Sequence, residues 1–314
     1  MRKILITGGA GNVGSALAAK LIEDQNNKVT VVDDLSTGSL SKLDLTQSNL
    51  KFIKADVNKK TELSEIMLAN RFDYVFHYAA LVGVQRTQEN PVKVLEDIQG
   101  IKNILNISKN IGVKRFFFSS SSEVYGEPVS IPQNESTTPL NSKLPYAVVK
   151  NVGESFCRSY QQEYGLDYTI FRFFNTYGPH QTTDFVMAKF ISQALKNEPI
   201  TVFGDGKQTR TFCYVEDNID MCIKALNENK IVNDVVNVGG DKIITIIDLA
   251  KTIIKITKSK SEIIHLPPLP SGDMKRRQPD NRKMLNLLNR DLISIEEGIQ
   301  KLLDSEAFRK EIGV

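Results

Sequence analysis

The sequence predicts an α/β protein: a doubly wound parallel sheet with a smaller C-terminal α/β lobe. Three observations lead there. The chain opens on KILITGGAGNVG (residues 3–14), where apolar Ile4, Leu5 and Ile6 run straight into a glycine-rich turn. Short apolar runs then alternate with helical patterns through residue 172, the signature of β-α-β units. Beyond that point the alternation loosens into short runs and turns, as expected of a second lobe assembled from interleaved pieces.

Each element has its own signal. Residues 13–22 read as an amphipathic helix with Val13, Leu17, Leu21 and Ile22 apolar. Before it, Gly8, Gly11 and Gly14 fall at the spacing GxxGxxG. A tight strand-to-helix turn favours glycine, a pyrophosphate must approach bare backbone, and a helix N-terminus offers free N–H groups. Residues 29–32 form the second strand, ending in Asp33, where a carboxylate that holds adenosine ribose hydroxyls is expected. Together these features make a Rossmann-type dinucleotide site. The acid at the strand end repels a 2′-phosphate, so NAD is expected over NADP.

A polar loop DLSTG (residues 34–38) follows, then a strand at 52–54 ending at Ala55-Asp56 and a helix at 61–69. The next strand, 73–76, is closed by His77-Tyr78-Ala79-Ala80, and Pro91 opens a long helix to about residue 110. The apolar strand 113–119 delivers a serine run, Ser119 to Ser122, to the carboxyl end of the sheet, where ligands bind in this architecture. A helix at 146–164 and a strand at 168–172 complete the regular part, followed by a loop over 173–179. Helices are expected near 185–196, 216–227 and 246–256, and strands at 200–203 and 235–238. A proline-rich loop at 266–270, a basic run Lys275-Arg276-Arg277 and a helical end close the chain.

Composition narrows the class. Lys+Arg 40 against Asp+Glu 37 gives a net charge of +3, which argues against a general nucleic-acid or membrane binder. Cys157, Cys213 and Cys222 are too few and scattered for a disulfide framework or metal site, and no metal is expected. The chain starts directly on a strand, lacks a basic-then-apolar leader and has no run of 18 apolar residues, so a cytoplasmic, soluble protein is expected.

The chemistry points to Tyr146 and Lys150, four apart on a predicted helix and therefore on one face. An ammonium beside a phenol favours the phenolate, and an oxidised nicotinamide adds to this, giving a general base from a group that ordinarily titrates near 10.

These motifs identify the chain as similar to the extended short-chain dehydrogenase/reductases of the nucleotide-sugar epimerase, dehydratase and decarboxylase group. The likeness runs through TGGAGNVG (7–14), VVDDLSTG (31–38), FHYAA (76–80), SSSSEVYG (119–126), YAVVK (146–150), RFFNTYGP (172–179), VFGDGKQTRTFCYVED (202–217) and RRQPD (276–280). The resemblance implies an NAD-binding domain over residues 1–175 and a nucleotide-sugar lobe over 176–314. It implies that Gly8, Gly11, Asn12, Val13 and Gly14 hold the pyrophosphate, and that Asp33, Asp34, Ser36, Thr37 and Gly38 hold the adenosine ribose end. Asp56 and Val57 would flank the adenine; Ala79, Ala80 and Ser119 would lie along the cofactor. Tyr146 is the expected base and Lys150 its tuner and ribose anchor. Ser121 would bond the sugar oxygen being oxidised, and Glu123 would assist. Ser122, Asn175, Val202, Arg210, Asp273, Arg276 and Arg277 would contact the sugar diphosphate, Arg210 as a fork on phosphate oxygens. A homodimer is implied as well, through a four-helix bundle. Its apolar residues would include Ile101, Ile104, Leu105, Ile107, Phe156 and Tyr160.

Three positions depart from the family pattern. Asp97 stands where relatives often have Asn, and His180 where many have Arg. Pro270-Ser271 precede Gly272-Asp273 where epimerases often place an Arg, a phosphate role that falls to Arg276 or Arg277. The shared first step is C4 oxidation. A 4,6-dehydratase usually carries an Asp-Glu pair here, but the chain has Ser122-Glu123, so dehydration is disfavoured. The loop AALVGVQRT (79–87) resembles that of 4-epimerases, and a NAD-dependent 4-epimerase of a UDP-hexose is the expected activity. UDP-glucose, UDP-N-acetylglucosamine and UDP-glucuronate all remain open as substrates. The alternative is a UDP-glucuronate decarboxylase, which the Ser-Glu-Val-Tyr-Gly and RRQPD motifs resemble. A non-catalytic NAD-binding regulator would have no reason to keep Ser121, Tyr146 and Lys150 together.

Overall fold

The computed structural model describes residues 1–268 and 274–314. Seven parallel strands form the central sheet: β1 (Arg2–Thr7), β2 (Asn27–Asp33), β3 (Leu50–Lys54), β4 (Tyr74–His77), β5 (Arg115–Ser121), β6 (Asp167–Phe173) and β11 (Asp234–Val238), in the order β11-β6-β5-β4-β1-β2-β3. The order reverses beside β1, which opens the ligand crevice above its carboxyl end.

Both faces of the sheet are covered, and the strands show it residue by residue. On β5, Phe117 packs into the core on one face while Phe116 and Phe118 pack into the other. Ile4 and Ile6 of β1 join Phe117, and Leu5 faces the opposite way. This period of two, apolar in both phases, is what burial on both faces requires. Helices α1 (Asn12–Ile22) and α7 (Val215–Asn227) cover the first face. Helices α2 (Lys60–Asn70), α4 (Pro91–Ile111) and α5 (Pro145–Tyr164) cover the second, with a short α3 (Val84–Glu89) ahead of α4.

Proline in the first turn starts both α4 and α5, where its missing N–H costs no helical bond. Helix α5 ends at Gly165, whose φ of 70° turns the chain left-handed. Ile101, Ile104, Leu105, Ile107 and Tyr160, expected at a dimer surface, belong instead to the core of the single chain. The apolar side chains that these two helices leave exposed are Val92, Leu95, Val148 and Tyr164.

The C-terminal lobe contains three two-stranded sheets. In them β7 (Thr176–Tyr177) pairs with β10 (Cys213–Tyr214), β9 (Thr209–Thr211) with β12 (Ile243–Thr245), and β8 (Ile200–Phe203) with β13 (Ile263–Leu266). The sequence predicts only β8 of these six. Helices α6 (Val186–Leu195), α8 (Ile246–Thr257), α9 (Arg282–Leu288), α10 (Ile295–Asp304) and α11 (Glu306–Ile312) enclose them. The seventh strand of the central sheet also comes from this half of the chain. The three cysteines are buried and free. Among the described residues no helix is long and apolar enough to cross a membrane.

Candidate active site

The glycine turn after β1 is as bare as the sequence implies. Gly8 has φ of 69°, and a Cβ there would stand 2.5 Å from the Ala79 amide nitrogen. A Cβ on Gly14 would be driven into the Gly8 carbonyl. Gly11 caps α1 with no side-chain bond, and the first turn, with Asn12 and Val13, carries no acid. The helix N-terminus is therefore free to receive an anion. Asp33 is buried at the end of β2, and its oxygens accept from the Ala10 amide at 3.0 Å and the Leu35 amide at 2.9 Å. Burial pushes its carboxyl up, against those two bonds. Gly38 packs directly on the Asp33 carboxylate, while Asp34 accepts from the Ser36 amide and hydroxyl and Thr37 is exposed.

Further along the crevice, half-buried Asp56 accepts from the Asn58 amide at 2.9 Å, whereas the Val57 side chain belongs to the core. Ala79 and Ala80 are half-buried beside Gly8. A cradle that a Cβ would fill, an uncapped helix and a strand-end acid fit a dinucleotide.

The serines at the end of β5 divide their work. Ser119 Oγ accepts from Lys150 Nζ at 3.4 Å. Ser120 donates to Glu154 Oε1 at 2.7 Å and is thereby structural. Ser121 Oγ accepts from the Glu123 amide at 3.2 Å, and its hydroxyl acts on the Tyr146 phenol in the direction of ionisation. Ser122 is fully buried. Lys150 is only 3% exposed, with its Nζ 5.7 Å from the Tyr146 ring centroid and 5.2 Å from that of Phe118.

The electrostatics differ from the simple expectation. Burial, then Glu123, pushes the Tyr146 phenol well above its ordinary value, while the Ser121 hydroxyl and Arg277 oppose them. Burial pulls Lys150 down to about 8, with Asp97 acting the other way. The chain's own groups thus keep the phenol protonated, and an adjacent lysine alone does not make it a base near neutrality.

Arg277 is brought to the same place by the segment after residue 273. It is 8% exposed, with Nη1 3.7 Å from Glu123 Oε1 and Nη2 donating to Met274 Sδ at 3.5 Å. Its buried Nε has no hydrogen-bond partner among the described residues. A buried network braces this corner. Arg172 donates to both oxygens of Glu154 at 2.8 and 2.7 Å and to Tyr125 Oη at 2.8 Å. Tyr125 in turn donates to Asn237 Oδ1 at 2.7 Å. Asn237 Nδ2 donates to the carbonyls of Gln133 and Asp280.

The remaining expected residues lie further out. Arg210 is buried on β9, and its Nη1 donates to the Thr209 carbonyl at 2.8 Å; Thr209 forms a backbone bridge with exposed Arg276. Asn175 has φ of 38°, and its amide donates to the Thr211 carbonyl at 2.8 Å, bracing β9. Val202 is a correction: its side chain is wholly in the core, packed at Gly206, because residues of β8 alternate and this one points inward. Asp273 lies outside the described residues. The sequence reading of the site left out Asp97, Met274 and the Glu154–Arg172 pair. Asp97 carried a signal, as a departure from the family pattern, and Glu154 sits one turn beyond Lys150.

Fold and site together define an NAD-binding, doubly wound α/β protein with a tyrosine–lysine centre at the end of its fifth strand. The chain belongs to the NAD dependent epimerase/dehydratase family, whose model matches residues 4–239. It is 34% identical to a UDP-N-acetyl-alpha-D-glucosaminuronate decarboxylase of Bacillus cytotoxicus, over 96% of this chain and 97% of that one. Among solved structures it resembles the UDP-glucose 4-epimerase of Thermotoga maritima with UDP-glucose (33% identity, TM-score 0.91, 98% and 99% coverage). It also resembles the UDP-glucuronic acid 4-epimerase of Bacillus cereus in complex with UDP-glucuronic acid and NAD (31%, TM-score 0.87, 99% of both chains). NAD is the cofactor.

Proposed function

We propose that this chain oxidises C4 of a UDP-hexuronate and releases its carboxylate as carbon dioxide, leaving a UDP-pentose. Arg277 carries the reading. It is a buried guanidinium with an unpartnered Nε, beside Glu123 and close enough to act on the Tyr146 phenol. A cation so placed suits a carboxylate on the carbon next to the one being oxidised. The likeness to a hexuronate decarboxylase and to a protein that binds UDP-glucuronic acid supports it.

The roles follow from position. Gly8, Gly11 and Gly14 would hold the pyrophosphate and Asp33 the ribose of NAD, which would supply reversible hydride acceptance at C4. Tyr146 removes the 4-hydroxyl proton while Ser121 bonds the same oxygen. Once C4 is a ketone, the carboxylate is that of a β-keto acid. Its C–C bond breaks, carbon dioxide leaves, and the electron pair passes to the C4 oxygen, which Tyr146 and Ser121 stabilise by hydrogen bonding. The one proton the reaction consumes comes from solvent and is relayed to C5 by Glu123. Arg210 and Arg276 take the diphosphate.

The 4-epimerase expected from the sequence is the second reading, supported by the likeness to 4-epimerases of known structure. It needs Tyr146, Ser121 and Lys150 but neither Glu123 nor Arg277 in chemistry. A homodimeric, cytoplasmic enzyme belongs to both readings. Exposed Val92, Leu95 and Val148, and a shallow depression on α5 lined by Asn151, Val152, Ser155, Phe156 and Ser159, support the dimer.

Incubation with UDP-glucuronate, UDP-N-acetylglucosaminuronate, UDP-glucose and UDP-N-acetylglucosamine, with products resolved by NMR, separates the readings. Carbon dioxide and a UDP-pentose are expected from a hexuronate. Interconversion of a gluco/galacto pair without carbon dioxide would establish the second reading instead. Glu123→Gln should slow decarboxylation more than about a hundredfold, roughly 2.7 kcal/mol in the barrier, but epimerisation by less than about tenfold.

A further inference from the structure

Arg277 is carried by a segment, residues 274–280, that belongs to no helix or named strand, yet it is held at both ends. At one end the Thr209 amide of β9 donates to the Lys275 carbonyl at 3.0 Å, and the Lys275 amide donates to Glu127 Oε2 at 3.3 Å. At the other end Gln133 clasps it with backbone alone. Its amide donates to the Gln278 carbonyl at 2.7 Å, and its carbonyl accepts from the Asp280 amide at 2.8 Å. The Gln133 side chain, fully buried, has no hydrogen-bond partner among the described residues. A two-bond backbone pairing does not by itself fix its place against the sheet.

Asn237, on β11, supplies that fix. It is wholly buried, and its Nδ2 donates to the Gln133 carbonyl at 2.8 Å and to the Asp280 carbonyl at 3.2 Å, one on each side of the pairing. Its Oδ1 accepts from Tyr125 Oη at 2.7 Å, and Tyr125 accepts from Arg172, which grips Glu154 of α5. Two residues on, a Cβ at Gly239 would stand 2.9 Å from Pro279 Cγ, and the Gly239 carbonyl accepts from Asn281 Nδ2 at 3.0 Å. One side-chain amide therefore spans from the frame that holds α5, the helix of Tyr146 and Lys150, to the segment that carries Arg277.

We propose that Asn237 is a positioning residue for Arg277: its amide locks segment 274–280 to Gln133 and so sets the guanidinium beside Glu123, where it selects a sugar bearing a carboxylate. The selectivity rests on the reaction proposed above; the lock does not. The two ends of the amide do separate work, the NH2 group on the segment and the oxygen on Tyr125. Substitution can remove one without the other. Asn237→Asp keeps an oxygen for Tyr125 and, in either protonation state, offers a hydrogen to at most one of the two carbonyls. Tyr125→Phe leaves both donations in place.

Hydrogen exchange in the NAD-loaded protein without sugar reads the lock directly. In Asn237→Asp the amides of Gln133 and Asp280 should exchange about tenfold faster or more. In Tyr125→Phe they should stay within about twofold of the parent. Calorimetric binding of UDP-glucuronate and of UDP-glucose reads the consequence, with Tyr146→Phe added throughout so that nothing turns over. Asn237→Asp should lose about tenfold in preference for UDP-glucuronate with UDP-glucose binding unchanged, and Tyr125→Phe should keep the preference. Unchanged exchange in folded Asn237→Asp overturns the proposal. Equal loosening in Tyr125→Phe overturns it too, since a merely bracing role would respond to either loss. Faster exchange with an undiminished preference overturns the role toward Arg277. If Asn237→Asp does not fold, Asn237→Leu, which has no donor, carries the same measurements, with Tyr125→Phe accounting for its lost acceptor. A parent that binds UDP-glucuronate no better than UDP-glucose would overturn the carboxylate reading of Arg277, while faster exchange in Asn237→Asp would still support the lock.

Discussion

Burial works against both members of the Tyr146–Lys150 pair: it protonates the phenol and deprotonates the amine. For Lys150 the folded value, about 8, lies below the unfolded value near 10.4. The unfolded chain therefore binds more protons between those limits, so stability climbs as pH rises through that window, and the full cost is present below pH 8. Lys150→Met should stabilise the protein at pH 7 by up to about 3 kcal/mol and abolish turnover. Thermal melts should show the gain fading toward pH 10. Tyr146→Phe should abolish turnover with little effect on NAD retention, measured on the purified protein. Tyr146, Lys150 and Ser121 are legible in the sequence because helix period and strand-end position encode them locally. That Arg277 and Glu123 share one pocket follows from the family resemblance and not from local pattern, since a long stretch of chain separates them; the folded lobe brings them within 3.7 Å.

Among the elements, α5 does the most positioning. Gly153 lies against the Phe118 ring, and a Cβ there would run into it. Gly153→Ala should push α5 off β5, lowering the melting temperature and the turnover number together while leaving the glycine turn intact. Gly14→Ala should have the converse effect, loss of retained NAD, because its Cβ meets backbone that cannot move aside. Long elements are the legible ones: α4, α5 and the strands of the central sheet were all foreseen within a few residues. β7, β9, β10, β12 and β13 were not. They are two to four residues long and exist only because a distant partner pairs with them. The apolar excess on α4 and α5 misled in the same way. Periodicity marks which residues are apolar but not which of two surfaces, core or partner, takes them.

At the scale of the molecule, sedimentation at micromolar concentration should find a homodimer. Val148→Glu, at an exposed position of α5, should dissociate it without unfolding the chain. The seventh strand has a different consequence. β11 closes the outer side of β6, yet some sixty residues of the other lobe are strung between the two. During synthesis the dinucleotide half emerges first, with every strand from β1 to β6 available. Its last strand, carrying Tyr168, Ile170 and Phe171, then waits as a naked, sticky border until the ribosome has added those intervening residues and β11 itself. A nascent chain stalled before Asp234 is therefore a client for chaperones, however well it already grips its nucleotide.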